Sequence, residues 1–310
     1  TGPMTSTNQQ AIGIAAGVGG DTSANARLGI FICIVAMACF ACMDAMTKLV
    51  IHAYSPPQFL MIRYWGFALC AVVYVSRTTG LKRAMKSARP GMQFIRSIVL
   101  VLEANVMAFA FAYLGLAEVH AIFAVYPLLV TIFAALLLGE NVGWRRRAAI
   151  VAGFAGALLI IKPGLGVFNV AILIPLAGAG LFAAYHIVTR FVAGADQFET
   201  SFLFMAVIGA LAITPMGIMA WKPLTMQAAW IISMMAVLGI VGHLLLVKAL
   251  ALANASTIQP FNFFLLAWAT LIGTTVFGER PDAIAIGGTI LIVAAGLFTI
   301  MRERVAKPAG

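Results

Sequence analysis

Ten long apolar stretches, each bounded by charges, proline or glycine, follow one another along the chain at 28–52, 58–77, 90–114, 118–139, 145–162, 170–192, 198–219, 228–250, 256–278 and 282–301. Each approaches the roughly 20 residues that an α-helix needs to cross a hydrocarbon core of about 30 Å. Backbone groups without partners are costly in lipid, so a spanning chain is either helical or a closed barrel, and a barrel would alternate in segments of about ten residues. These stretches are longer and do not alternate. The pattern predicts an all-α integral membrane protein of ten transmembrane helices. The connections are short: Ser55, Pro56 and Pro57 separate the first two stretches, and Lys162, Pro163 and Gly164 end the fifth, which leaves no room for a soluble domain.

Composition strengthens this picture. The 310 residues are 63% hydrophobic and 10% charged, against roughly 45–50% and about 25% in soluble domains. An ordinary soluble enzyme is excluded, because its outer surface would need polar cover that this chain lacks. Thr1, Gly2 and Pro3 ahead of Met4 read as the remnant of a protease-cleaved tag, and the rest of 1–27 as a disordered cytoplasmic lead-in without a signal peptide's basic start and apolar core.

The net charge of +10 sorts by loop. With the N-terminus inside, fourteen Lys and Arg residues fall on cytoplasmic ends and four (Lys48, Lys162, Lys222, Arg280) on outer ends, leaving Arg63 and Arg96 within spans. This bias places both termini in the cytoplasm. It also makes nucleic-acid binding an unnecessary reading of the charge.

The chain repeats itself weakly. Phe40-Ala41 with Thr47-Lys48 recurs as Phe182-Ala183 with Thr189-Arg190; Leu114-Gly115-Leu116-Ala117 recurs as Leu250-Ala251-Leu252-Ala253; Gly139-Glu140 recurs as Gly278-Glu279. Two units of five spans follow, 28–162 and 170–301, joined by a linker at 163–169 and followed by a cytoplasmic tail at 302–310. An odd number of spans per unit inverts the second copy, which is the arrangement that supports alternating access around a central site.

The joint order of these features resembles the drug/metabolite transporter superfamily in its EamA-domain branch. They are the two five-helix halves, a Gly-Glu pair closing the fourth and ninth spans, and Leu-x-Leu-Ala entering those spans. General likeness, without a diagnostic motif, is to bacterial inner-membrane exporters of amino acids, aromatic ones included. The resemblance implies a central cavity lined mainly by spans 1, 3, 4, 6, 8 and 9, a small-molecule substrate, and no cofactor.

Ionisable groups within a span need a partner or a watery cavity. Asp44 and Arg63 lie at similar depths on neighbouring spans, so they are expected either to pair as architecture or to leave Asp44 free for a substrate ammonium. Glu103 sits near the middle of the third span, with Arg96 two turns away and free to snorkel to the headgroups. Either Asn105 or a facing hydroxyl is its alternative partner, and Glu103 is the leading candidate for proton exchange. His186 and His243 read as packed neutral donors or coupling groups. The ninth span starts Gln259-Pro260-Phe261-Asn262, where a proline frees carbonyls beside two amides, and Tyr126-Pro127 interrupts the fourth. Tyr126, Tyr185 and Trp268 are candidates for an aromatic lining or for packing. Asp44, Glu103, Tyr126, Tyr185, His186, His243, Gln259, Asn262 and Trp268 are thus the candidate substrate-binding residues. Glu140 and Glu279 are expected to cap helix N-termini.

The Cys39-x-x-Cys42 spacing lacks a second pair for metal binding and reads as small packing residues. Small residues at Gly153, Gly156 and Ala157 and at Gly287, Gly288 and Ala294 to Gly296 allow close helix contact, within a monomer or across a homodimer. No catalytic motif of a hydrolase or metalloprotease and no ATP-binding motif is present, so the chain reads as a secondary carrier and not an enzyme. Amino acids are the expected substrates, a broad drug or metabolite carrier the alternative, and an intramembrane enzyme the alternative of a different class.

Overall fold

The computed structural model describes residues 23–138, 144–161, 170–192, 195–253 and 258–305. They form α1 (Ser23–Val50), α2 (Pro56–Arg77), the short α3 (Leu81–Ala84), α4 (Pro90–Tyr113), α5 (Leu116–Phe123), α6 (Tyr126–Leu138), α7 (Trp144–Ile161), α8 (Leu173–Val192), α9 (Phe198–Met219), α10 (Met226–Leu252), α11 (Phe264–Val276) and α12 (Ala283–Val305). Among the described residues, seven helical stretches are long and apolar enough to cross a membrane, and three shorter apolar helices accompany them. The lead-in at 1–22 and Glu140 lie outside the described residues.

Proline sets the helix starts. Pro56 and Pro57 open α2 and Pro90 opens α4, at positions whose amide would have no partner in any case. The fourth apolar stretch is divided: α5 ends at Phe123, a turn follows, and α6 begins at Tyr126 with Pro127 in its first turn. The ninth likewise enters through a 3₁₀ turn, Gln259–Phe263, before α11. Helices far apart in sequence are neighbours: α1 packs on α10 and α11, α4 on α8, α2 on α9, and α7 on α12. The last of these pairings consumes the small residues. A Cβ on Gly156 would come within 2.7 Å of the Gly288 carbonyl oxygen, so this close approach is intramolecular.

One loop carboxylate joins several of these pieces. Past the end of α11, Gly278 adopts a φ of +65°, a conformation that favours glycine, and the Glu279 amide turns back to donate to the Gly273 carbonyl at 2.9 Å. The Glu279 side chain then reaches the start of α5. Its Oε1 accepts from the Leu116 amide at 2.7 Å and from Lys48 Nζ at 2.5 Å, and its Oε2 accepts from the Ala117 amide at 3.2 Å. Lys48 also donates to the Leu114 carbonyl at 3.1 Å and lies over the Phe277 ring. Glu279 therefore caps a helix, but one distant in sequence, and a Cβ at Gly115 would approach its Oε2 to 2.9 Å.

Burial alone would raise the Glu279 carboxyl, but the Lys48 hydrogen bond, the two amides and the Lys48 charge outweigh it and hold the group below the ordinary carboxylate range. A depressed folded value means stability that is complete above the unfolded pKa, about 4.3 for glutamate, and that is lost as the pH falls through the folded value. Acidification through that window is expected to lower the melting temperature of the purified protein. Glu279→Gln should be less stable at neutral pH, by roughly 1–3 kcal/mol for a cap and charge partner removed together, and should lack this part of the acid sensitivity. Gly156→Val is expected to part α7 from α12 and lower the melting temperature at every pH; an unchanged value would show that the helices can separate freely.

Candidate functional site

A cavity of about 260 Å³ lies among the helices, walled by α1, α2, α4, α5, α8, α9, α10 and α11. Most of its wall is apolar and aromatic, with Phe40, Phe59, Phe67, Phe111, Phe123 and Phe182 contributing rings. Set into that wall are Asp44 from α1, Arg63 from α2, Glu103 from α4, His120 from α5 and His243 from α10. Two carboxyl groups, one guanidinium and two imidazoles thus converge on one cavity.

Each is placed by its helix. Asp44 Oδ2 lies 3.1 Å from His120 Nε2. The approach is out of line for a hydrogen bond, and neither ring nitrogen of His120, a residue only 5% exposed, has a hydrogen-bond partner among the described residues. The expected Asp44–Arg63 pair is not formed: Arg63 contacts Met43 Sδ at 3.4 Å and the Tyr64 ring, because α2 turns the guanidinium along the cavity wall while α5 brings His120 to Asp44. Glu103 has no hydrogen bond or ion pair within 4 Å among the described residues, yet it feels the charges of Arg63 and Asp44. Asn105 does not serve it, donating instead to the Val101 carbonyl of its own helix. His243 is oriented by a 2.7 Å contact from Nδ1 to the Gly239 carbonyl and by the rings of Phe40 and Phe67.

The other candidates stand behind this wall. Tyr126 stacks on His186 with ring planes 13° apart, and both meet Phe182, which is itself on the wall. Tyr185 carries the Arg96 guanidinium over its ring and contacts Met205 Sδ. Asn262 Oδ1 faces Cys33 Sγ at 3.5 Å, and Trp268 Nε1 donates to the Ile34 carbonyl, so both fasten the start of the ninth span to α1. The Gln259 side chain lies outside the described residues. The expectation that Arg96 snorkels outward is corrected: it is 5% exposed and donates to the Ser201 carbonyl at 2.8 Å. Nearby Asp196 accepts from Ser87, the Ala88 amide and Gln93, tying the start of α4 to the loop before α9. The cysteines are unpaired, and no cluster suited to a metal occurs among the described residues.

His120 was missed by sequence reasoning. It falls at the margin of the fourth apolar stretch, where an ionisable residue reads as part of a loop, and the turn at Ala124 and Val125 that carries it inward has no charge or glycine to mark it. The six wall phenylalanines were invisible for a different reason: in a chain this apolar, a phenylalanine facing a cavity has the same sequence context as one facing lipid.

Residues 27–162 match the EamA-like transporter family. The chain is 26% identical to a riboflavin transporter of Vibrio cholerae, over 79% of this chain and 83% of the relative. It is 24% identical to an S-adenosylmethionine uptake transporter of Rickettsia prowazekii, over 72% and 76%, and 23% identical to a pseudopaline exporter of Pseudomonas aeruginosa, over 87% and 94%. A solved crystal structure with 17% identity covers 92% of this chain and 99% of its own, at a TM-score of 0.59, which supports the fold. Residues 27–162 thus match an EamA-like transporter domain, and the protein is a transporter and a multi-pass protein of the bacterial cytoplasmic membrane.

Proposed function

We propose that the protein is a secondary carrier that exports a small amphipathic metabolite with an amino-acid head and an apolar or aromatic body, moving it by alternating access between two inverted five-helix units, 28–162 and 170–301. The observation that carries this reading is the cavity itself: carboxylates and one guanidinium, set in an aromatic wall, match an α-ammonium, an α-carboxylate and a side chain. Asp44 attracts the ammonium, Arg63 the carboxylate, and the phenylalanines the body.

Helix pairing supports the inverted repeat. Exchanging the first five spans for the last five turns the α1–α10 pairing into α8–α4, and the α1–α11 pairing into α8–α6, while the α2–α9 and α7–α12 pairings map onto themselves. With both termini cytoplasmic, as the basic residues argue, the Lys48–Glu279 tie closes the outer side and the Asp196 network the inner side. S-adenosylmethionine, the substrate named for one relative, carries an amino-acid head. A second reading, a carrier of a neutral planar ring system such as a flavin, is favoured by the aromatic wall and the riboflavin transporters among the relatives.

Reconstituted vesicles separate the readings. Phenylalanine or S-adenosylmethionine is expected to cross saturably, with Arg63→Ala slowing flux at least about tenfold through loss of a charge-assisted contact. Riboflavin flux that is indifferent to Arg63, with none of the amino-acid substrates, would instead establish the second reading. Glu103, which faces the cavity without a hydrogen-bonded partner, is the proposed proton-exchanging group. Glu103→Gln should fold normally and flatten the pH dependence of flux; an unchanged rate and pH profile would make it a packing residue.

A further inference from the structure

The Asp44–His120 contact is unusual as architecture. Buried polar atoms are ordinarily hydrogen-bonded, and leaving one without a partner costs roughly 1–3 kcal/mol. Here an imidazole with 5% exposure leaves both nitrogens unpaired, although a carboxylate oxygen stands 3.1 Å from Nε2. Nε2 and the Asp44 oxygen stand side by side at 3.1 Å with no hydrogen bond joining them, so a donor placed against both would find each of them open. The ring is fixed from outside by Phe111, whose centroid is 5.7 Å away.

Resting on the amino-acid reading above, we propose that Asp44 and His120 form a clasp selective for a primary ammonium group, which enters between the two side chains and donates one N–H to each. The other charged and titratable groups on the cavity fit this assignment. Arg63 on α2 cannot fill the role because it repels a cation, Glu103 on α4 has no hydrogen-bond or ion-pair contact with another polar side chain among the described residues, and His243 on α10 is occupied at Nδ1 by the Gly239 carbonyl. Asp44 alone would attract any cation. His120 adds a requirement for an N–H donor, so the clasp distinguishes a primary ammonium from a fully alkylated nitrogen of equal charge.

The clasp also has a mechanical consequence. Two hydrogen bonds of about 2.8 Å to one nitrogen hold their acceptors roughly 4.5 Å or more apart, so an entering ammonium widens the 3.1 Å gap. Asp44 lies one turn from Lys48 on α1, and His120 one turn from Leu116 on α5, and these are the partners that Glu279 ties together. Filling the clasp therefore parts the two helices beside the tie.

The test compares phenylalanine with N,N,N-trimethylphenylalanine and with 3-phenylpropionate in vesicles holding the full chain. The wild type is expected to prefer phenylalanine over the trimethyl compound at least about tenfold in KM, the scale of one hydrogen bond to a charged group. His120→Ala should erase that preference in KM, while still favouring both nitrogen-bearing compounds over 3-phenylpropionate through Asp44. His120→Phe, which fills the space without an acceptor, gives the same readout if the alanine variant does not fold. A His120 variant that keeps the wild-type preference overturns the clasp and leaves the amino-acid reading intact. A wild type that does not distinguish phenylalanine from 3-phenylpropionate overturns the amino-acid reading, and the clasp with it.

Discussion

A helix that begins inside a membrane protein leaves its first amides without partners, and in lipid no water is available to take them. The fourth span of this chain raises that problem because it is split, so that the eight residues of α5 need a fixed start of their own. Glu279 answers it from the opposite half of the sequence. Its carboxylate takes the Leu116 and Ala117 amides and neutralises Lys48, and Lys48 in turn takes the Leu114 carbonyl just ahead of α5. The positive end of α5, a lysine and a carboxylate thus satisfy one another in a place where each alone would be destabilising. The position of α5 follows from this junction, and with it the position of His120 on the cavity wall.

The cavity treats its polar groups differently. Near Glu279 the charges and the first amides of α5 are paired and the result is rigid; within the cavity Glu103 has no hydrogen bond, Arg63 has only a sulfur and a ring, and His120 has neither nitrogen satisfied among the described residues. Charges in such a setting interact strongly because little solvent screens them, and they favour a ligand that supplies the missing partners. The surrounding phenylalanines contribute area and no directional demand.

Much of the fold was legible because the bilayer imposes a length and a composition on each span, and both can be counted. The stretches ending at Arg77, Val192 and Met219 close at the residues where α2, α8 and α9 end. Prolines 56, 90, 127 and 260 marked helix starts and interruptions through the missing amide. The repeated Gly-Glu pair pointed to capping, and Glu279 caps, although nothing in its local sequence says that the helix it caps begins 163 residues earlier. Side-chain partnership was less readable. Similar depth made Asp44 and Arg63 reasonable partners, but depth does not specify rotation about a helix axis, and α5, not α2, presents its polar group to Asp44. Arg96 had apolar length enough to snorkel, yet the Ser201 carbonyl and the Tyr185 ring hold it among the helices.

The arrangement of α1 against α5 joins the two themes. On each helix a residue of the cavity and a residue of the tie are four positions apart and share a face: Asp44 with Lys48, and His120 with Leu116. A ligand acting between Asp44 and His120 therefore acts on the same pair of helices that Glu279 clamps, at a separation of about one 5.4 Å turn. No long pathway is needed to connect binding with closure, because the helices are stiff over that distance and the tie is the next turn along. An ion pair with its remaining valences filled by backbone is suited to this task. A shift of about an ångström at the neighbouring turn is sufficient to misalign hydrogen bonds of 2.5 to 3.2 Å.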